Sequence, residues 1–452
     1  MVHNIKDGSQ CMTDKPLLLA DGQHCMADGL FGDLDGIDEA RDVRGREKTT
    51  LEKLLELASQ TVSFFSSNFS NKFKRTGDPP IRRDFMLIYS YTHSLLDSCW
   101  FDETDISSFV KCFDDIDYNK LESKILGIFT SCLAYALTER NREKGKRTKI
   151  YLNGNGAKFD YLFCCLPDFD ELVIENFNGD YIGASNGIGS LYLSLDIPLE
   201  KDITEVCGDS EQYFKILSTL RKEKKTEKRI VGINLKGIGI FEYPSCIDQI
   251  VLINVEGENT CASCSVGMND AFVNQLIAVN INGHYVLSAL CSTGLVNHVV
   301  AVNIEGFEAF SRICSDYIIN KIVADNIRGE NAFSRYGLKT PVSINQMIFN
   351  NSMGLASELK HQYNENGLTT ERLQSDNYFQ GGCKELICIE EATSEQLKVI
   401  KRERIEDILR LAHSLPGKPY QEVLEIADEL YALRPRVPEG FFGEKIKRYK
   451  KR

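Results

Sequence analysis

The chain has 452 residues, a net charge of −12 and a hydrophobic content of 42%. Its length exceeds one ordinary domain unless an extended repeat accounts for it, and its apolar content is ample for a core. Its acidity excludes a protein that coats nucleic acid over its whole surface, so no DNA partner is expected. No apolar run is long enough to cross a bilayer, and Met1–Asp7 begin no apolar signal segment, so no membrane partner is expected either. The 15 cysteines are odd in number and follow no framework, which reads as reduced thiols in a cytoplasmic compartment.

Residues 1–45 read as a flexible acidic arm, with turns at Asp21-Gly22, Asp28-Gly29 and Asp35-Gly36. Asp33-Leu34-Asp35-Gly36 has part of a calcium-loop pattern. Phe31 stands at the first ligand position and Asp42 at the last, so the loop fails and no metal is expected.

Residues 46–148 read as a helical N-terminal cap domain. Thr50–Leu57 has helical spacing behind a Thr49 or Thr50 cap, and Phe85–Cys99 and Leu121–Leu137 are further helical stretches. Gly77-Asp78-Pro79-Pro80 is a break, and Trp100 falls at a helix end, in the core or on its rim.

Residues 149–355 carry a repeat. Asn254, Asn280, Asn303, Asn326 and Asn351 are spaced 26, 23, 23 and 25 residues apart. Each is preceded by a β-branched or apolar run, such as Ile250-Val251 or Val299-Val300. Three residues after each comes a glycine: Gly257, Gly283, Gly306, Gly329 and Gly354. The pattern is a short strand followed by a corner, since helical periodicity is absent. A second short apolar stretch follows the corner, as in Tyr285-Val286-Leu287 and Glu308-Ala309-Phe310. A unit this short buries its apolar face only by stacking on copies of itself. The asparagines then form a hydrogen-bonded amide ladder with coils about 4.8 Å apart, a structural role. Earlier copies occur around Asn153, Asn176 and Asn234, and a charged insertion at 198–229 interrupts them.

These features resemble a parallel β-solenoid at the level of architecture. They are also similar to leucine-rich repeats, except that the Asn comes one place early and an apolar residue follows it directly. No six-residue period appears, which excludes a left-handed hexapeptide helix.

Residues 356–452 read as a C-terminal helical region. Ser394–His413 is amphipathic, Pro416–Pro419 breaks it, and Tyr420–Leu433 completes a hairpin that serves as a second cap or an arm. The chain ends in a basic tail containing Lys445, Lys447, Arg448, Lys450, Lys451 and Arg452. The expected class is therefore α+β: a parallel β-solenoid of about 23-residue repeats flanked by N- and C-terminal helical caps.

Catalytic signals are sparse. Cys261-Ala262-Ser263-Cys264 lacks a second ligand pair, although Cys291 and Cys314 fall in the next coils. His284 or His298 beside Cys291 would make a nucleophile pair, but no orienting acid is evident. Gly154/Gly156 and Gly237/Gly239 lack the Lys-Ser/Thr of a phosphate loop, and no cofactor is expected. The leading expectation is a non-enzymatic cytoplasmic scaffold that binds a protein partner through its solenoid surface. One alternative is an RNA- or ribosome-associated factor using Arg140–Lys149, Arg221–Arg229 and the tail. The other is an enzyme with a site on the solenoid face.

Overall fold

A computed structural model describes residues 47–70, 82–113, 118–187, 227–264, 272–290, 294–311, 318–329, 343–350 and 383–437. The expected arm at 1–45, most of the insertion at 198–229 and the basic tail lie outside these residues.

The body from Thr49 onward begins with four helices: α1 (Thr50–Asn68), α2 (Arg82–Asp97), α3 (Glu103–Lys111) and α4 (Lys120–Glu143). Capping boxes start three of them. Thr49 pairs with Glu52, Asp102 with Asp105, and Asn119 with Glu122, so each first turn has its free N–H groups satisfied. Helix α3 lies within the region read as helical, although none of the helical stretches named there covers it. Helix α4 is buried from Lys124 to Thr138, because the other helices pack on it and the first solenoid coil closes its remaining side. Ser131 Oγ donates to the Cys164 carbonyl at 2.6 Å, and the Phe163 amide donates to Thr130 Oγ at 3.0 Å. The helical domain is thus a cap on the first coil. Trp100 lies on its rim, 70% exposed, with Lys144 Nζ 4.3 Å from its ring centre.

Among the described residues nine parallel strands follow in sequential order: β1 (Lys149–Asn153), β2 (Glu171–Glu175), β3 (Arg229–Lys236), β4 (Ile247–Glu256), β5 (Phe272–Asn282), β6 (Leu295–Glu305), β7 (Ile318–Arg328), β8 (Ser343–Asn350) and β9 (Cys383–Cys388). Like residues stack on like: Ile250 on Leu276, Val299 and Ile322, and Leu252 on Ala278, Ala301 and Ala324. The architecture is a parallel β-solenoid with helices at both ends. Strand β9 lacks the repeat's Asn and was read as part of the helical region.

Among the described residues the stretches after the corners form a wall of turns rather than a second sheet. Ser288 N–H donates to Tyr285 O at 3.3 Å within one coil, and Tyr285 N–H donates to Phe307 O at 2.9 Å in the next. Alternate residues there have positive φ, as at Tyr285 (58°), Leu287 (53°) and Ala289 (51°). This wall turns Val286, Leu287, Ala309 and Phe310 into the interior, where they meet the sheet's inward residues. One apolar core runs from the N-terminal helices through the solenoid interior.

The C-terminal helices are α5 (Ser394–Arg402), α6 (Ile405–His413) and α7 (Tyr420–Ala432). The amphipathic stretch expected to be continuous breaks at Arg404, whose φ is 57°. These helices do more than follow the last strand. They run back across the outer face of the sheet, and a second apolar cluster fills the gap. It joins Val251, Ile277, Val300 and Val323 to Ile405, Ile408, Val423 and Leu430. At the far end Tyr420 stacks on Tyr151 of β1, with ring centres 3.9 Å apart. The sheet is therefore buried on both faces.

Candidate functional site

Each repeat's Asn sits where its strand bends. Pairing runs from Ile253↔Val279 to Val255↔Ile281 and skips Asn254 and Asn280. Those two have φ of 54° and 56°, the left-handed region that asparagine tolerates better than other side-bearing residues. The bend lets Ile250, Leu252 and Val255 all point inward. The amides form a continuous ladder, each Nδ2 donating to the preceding coil's Oδ1. Asn176 reaches Asn153 at 3.1 Å, Asn234 reaches Asn176 at 2.8 Å, and Asn254 reaches Asn234 at 2.9 Å. Asn280, Asn303 and Asn326 continue it at 2.9, 2.8 and 2.7 Å. Asn351 lies outside the described residues. Replacing Asn280 by leucine removes both its ladder bonds and puts a bulky residue at positive φ. The expected cost is about 2 kcal/mol, read from the urea midpoint.

Gly257, Gly283, Gly306 and Gly329 form a contact column beside the ladder. An added Cβ would lie 1.7, 2.0, 1.8 and 2.0 Å from the carbonyl oxygen of the glycine one coil earlier.

Beyond the bend the coils expose a polar row made of Lys236, Glu256, Asn282, Glu305 and Arg328. Lys236 and Glu256 pair at 2.7 Å while both remain more than 60% exposed, so the pair contributes little stability. Asn234, Asn254 and Asn280 floor a shallow groove of about 320 Å³ with Lys236, Glu256 and Asn282 on its rim. Past the glycines the same face carries Ile238 at 41% exposure, with His284 and Phe307 ring to ring at 6.0 Å. Amide, charged and apolar groups thus repeat at coil spacing on one solvent-facing corner.

A different polar column lies beneath α5–α7. Five residues before each ladder Asn stand Gln249, Gln275, His298, Lys321 and Gln346, facing outward among the valines. Gln249 Nε2 donates to Gln275 Oε1 at 2.8 Å and to Ala427 O at 2.7 Å. Gln275 Nε2 donates to Leu430 O at 2.8 Å and meets His298 Nδ1 at 3.1 Å. Asn297 Nδ2 reaches Pro435 O at 2.8 Å. Sheet side chains thereby add hydrogen bonds to carbonyls of α7 and to the Pro435 carbonyl just beyond it. Lys321 pairs with Glu403, Arg229 with Asp428, and Asp325 with His413 at 2.6 Å. Burial pulls the His298 imidazole down to about 3, and Lys321 and Arg434 add to the effect. The sequence signal for this column is a polar residue at one register position, directly after Asp248, Asn274, Asn297, Asn320 or Asn345 and just before the apolar run of its copy.

The other sequence candidates do not converge. Cys261 and Cys264 have sulfurs 3.0 Å apart in the closed core, while Cys291 and Cys314 lie outside the described residues. His284 is on the exposed corner and His298 is under the helices, so the two imidazoles serve different environments. Gly237 belongs to the contact column, its Cβ position 1.9 Å from Gly179 O. Much of the described basic sequence is engaged. Arg140 lies over Phe101 and donates to the Leu96 and Cys99 carbonyls. Arg142 pairs with Asp168 and Asp170, and Lys228 pairs with Asp168 at 3.0 Å. One carboxyl escaped sequence reading: burial raises Glu242 to about 7 against a hydrogen bond from Tyr243. Among the described residues no group of three or more His, Cys, Asp or Glu gathers as a metal site. Comparison with known protein families, with curated proteins and with solved structures finds no match for this chain.

Proposed function

We propose that this chain is a non-enzymatic interaction protein of the cytoplasm that presents the solenoid corner to a protein partner. The observation that carries this reading is the double burial of the sheet. The chain's own helices occupy the outer face, and among the described residues the corner is a repeated surface left to solvent. Its groove is shallow and open, and its rows of amide, charge and aromatic groups suit an extended protein contact. The described cysteines are free thiols, which agrees with a reducing compartment.

The test is affinity capture from native extract, with and without nuclease. Wild type is compared with a variant combining Lys236→Glu, Glu256→Lys and Glu305→Lys. The swap keeps the attraction between positions 236 and 256 but puts a second cation beside Arg328, so the folding of the variant is checked by its urea midpoint. A discrete set of proteins should survive nuclease and be lost from the variant. Undiminished capture by the variant overturns the corner as the binding surface. Recovery of ribosomal proteins that vanish with nuclease replaces this reading with RNA association.

A further inference from the structure

We propose that α5–α7 form a pH-sensitive latch over the outer face of the sheet, closed while His298 is neutral and opened when it takes up a proton. Three features of the interface lead there.

The outer cluster is separate from the core that joins the N-terminal helices to the solenoid interior. Lifting the helices therefore leaves the main core packed and every sheet hydrogen bond made. The uncovered face would also carry a polar row of Gln249, Gln275, His298, Lys321 and Gln346, unlike an ordinary apolar core surface.

The closed state holds polar atoms it does not satisfy. Gln249 Oε1 and His298 Nε2 are buried without a hydrogen-bond partner. Each loses its water on closing and gains nothing in return, which places the helices nearer to release than an apolar contact of equal area.

The groups facing His298 oppose a proton there. Gln275 Nε2 can only donate, so His298 Nδ1 accepts, and the neutral ring carries its hydrogen on the unpartnered Nε2. On the next strand stands Lys321, whose ammonium is already paired with Glu403 from the α5–α6 junction. From the segment after α7 comes Arg434, which packs on Tyr431. An imidazolium would thus be closed in between two cations. Among the described residues the interface also holds the Arg229–Asp428 ion pair and the Asp325–His413 contact.

The sign follows. Closed His298 takes a proton only near pH 3, whereas an uncovered histidine does so near about 6.5. The open state binds the proton, so the latch is fully closed above about 6.5 and loses closure as pH falls from there toward 3.

The test is hydrogen exchange read by mass spectrometry on the full chain, corrected for intrinsic rates, at about pH 7.4 and about pH 5.5. Protection of α5–α7 should fall about tenfold at the lower pH while β4–β7 hold theirs. His298→Gln, which extends the glutamines already in the column, should abolish the fall. His413→Gln should retain it. An unchanged wild-type profile overturns the latch, as does loss of protection in α5–α7 and β4–β7 together. A response that persists in His298→Gln, or disappears in His413→Gln, also overturns it. The wild-type and His413→Gln results decide the matter even if His298→Gln does not fold.

Discussion

Gly283→Ala is expected to destabilise the solenoid by at least about 3 kcal/mol and to abolish its cooperative unfolding transition in urea. The added Cβ would stand 2.0 Å from Gly257 O and 2.5 Å from Gly257 C. Both are backbone atoms, so no side chain can rotate away. Coil spacing is set by the sheet hydrogen bonds on one side and the turn-wall bonds on the other. Opening it at this corner strains both. Residue 283 also has φ of 155°, a second penalty for a side chain. The matched control is Gly156→Ala, where φ is 92° but nothing lies within 4 Å. It should cost only about 1 kcal/mol, the conformational term alone. Equal effects at the two positions would show that close approach does not specify the glycine column.

Arg142→Ala is expected to cost about 3–5 kcal/mol, because it strands buried carboxylates at the junction between the cap and the first coil. The guanidinium donates to Asp168 and Asp170, and Asp170 is fully buried. Asp170 also accepts the Thr148 amide at 2.8 Å, so it positions the chain where α4 gives way to β1. Burial pushes the Asp168 carboxyl up, but Lys228 and Arg142 outweigh it and hold the group below the usual range. A carboxylate lowered in the folded state stabilises the fold above its unfolded value of about 3.9. That stability is lost as pH falls through the folded value. Part of the wild-type acid sensitivity below about pH 4 should therefore disappear in the variant, measured as urea midpoint against pH. Wild-type stability in Arg142→Ala would mean that Lys228 alone neutralises the pair.

The strands were legible because the repeat is a contact rule. Asn280 is bonded to Asn254 and Asn303, so one residue type must recur once per coil, and the spacing exposes it. Strand β9 was not legible, since Cys383–Cys388 carries neither the Asn nor the glycine, and its side-chain link to β8, Gln346 Nε2 donating to Glu385 Oε2 at 2.8 Å, spans 39 residues. The break at Arg404 was hidden for a similar reason. The apolar spacing of α5 and α6 runs on across it, and a single positive φ leaves no mark in the pattern.

The outer cover leaves a signal in the strands. A solenoid strand with solvent on one side alternates apolar and polar residues, yet Ile250-Val251-Leu252-Ile253 and Val299-Val300-Ala301-Val302 do not. Unbroken apolar runs belong to strands buried on both faces. The amphipathic stripe of α6 supplied the matching surface.

The sequence by itself determined the coil, its corner glycines and the asparagine bend, because each depends on a neighbour one repeat away and recurs with the repeat. Only the tertiary structure decided which surface is free. Covering the outer face joins Gln249 to Ala427, Gln275 to Leu430 and Lys321 to Glu403, contacts separated by 178, 155 and 82 residues. No local period records such pairs, and they leave the corner exposed among the described residues.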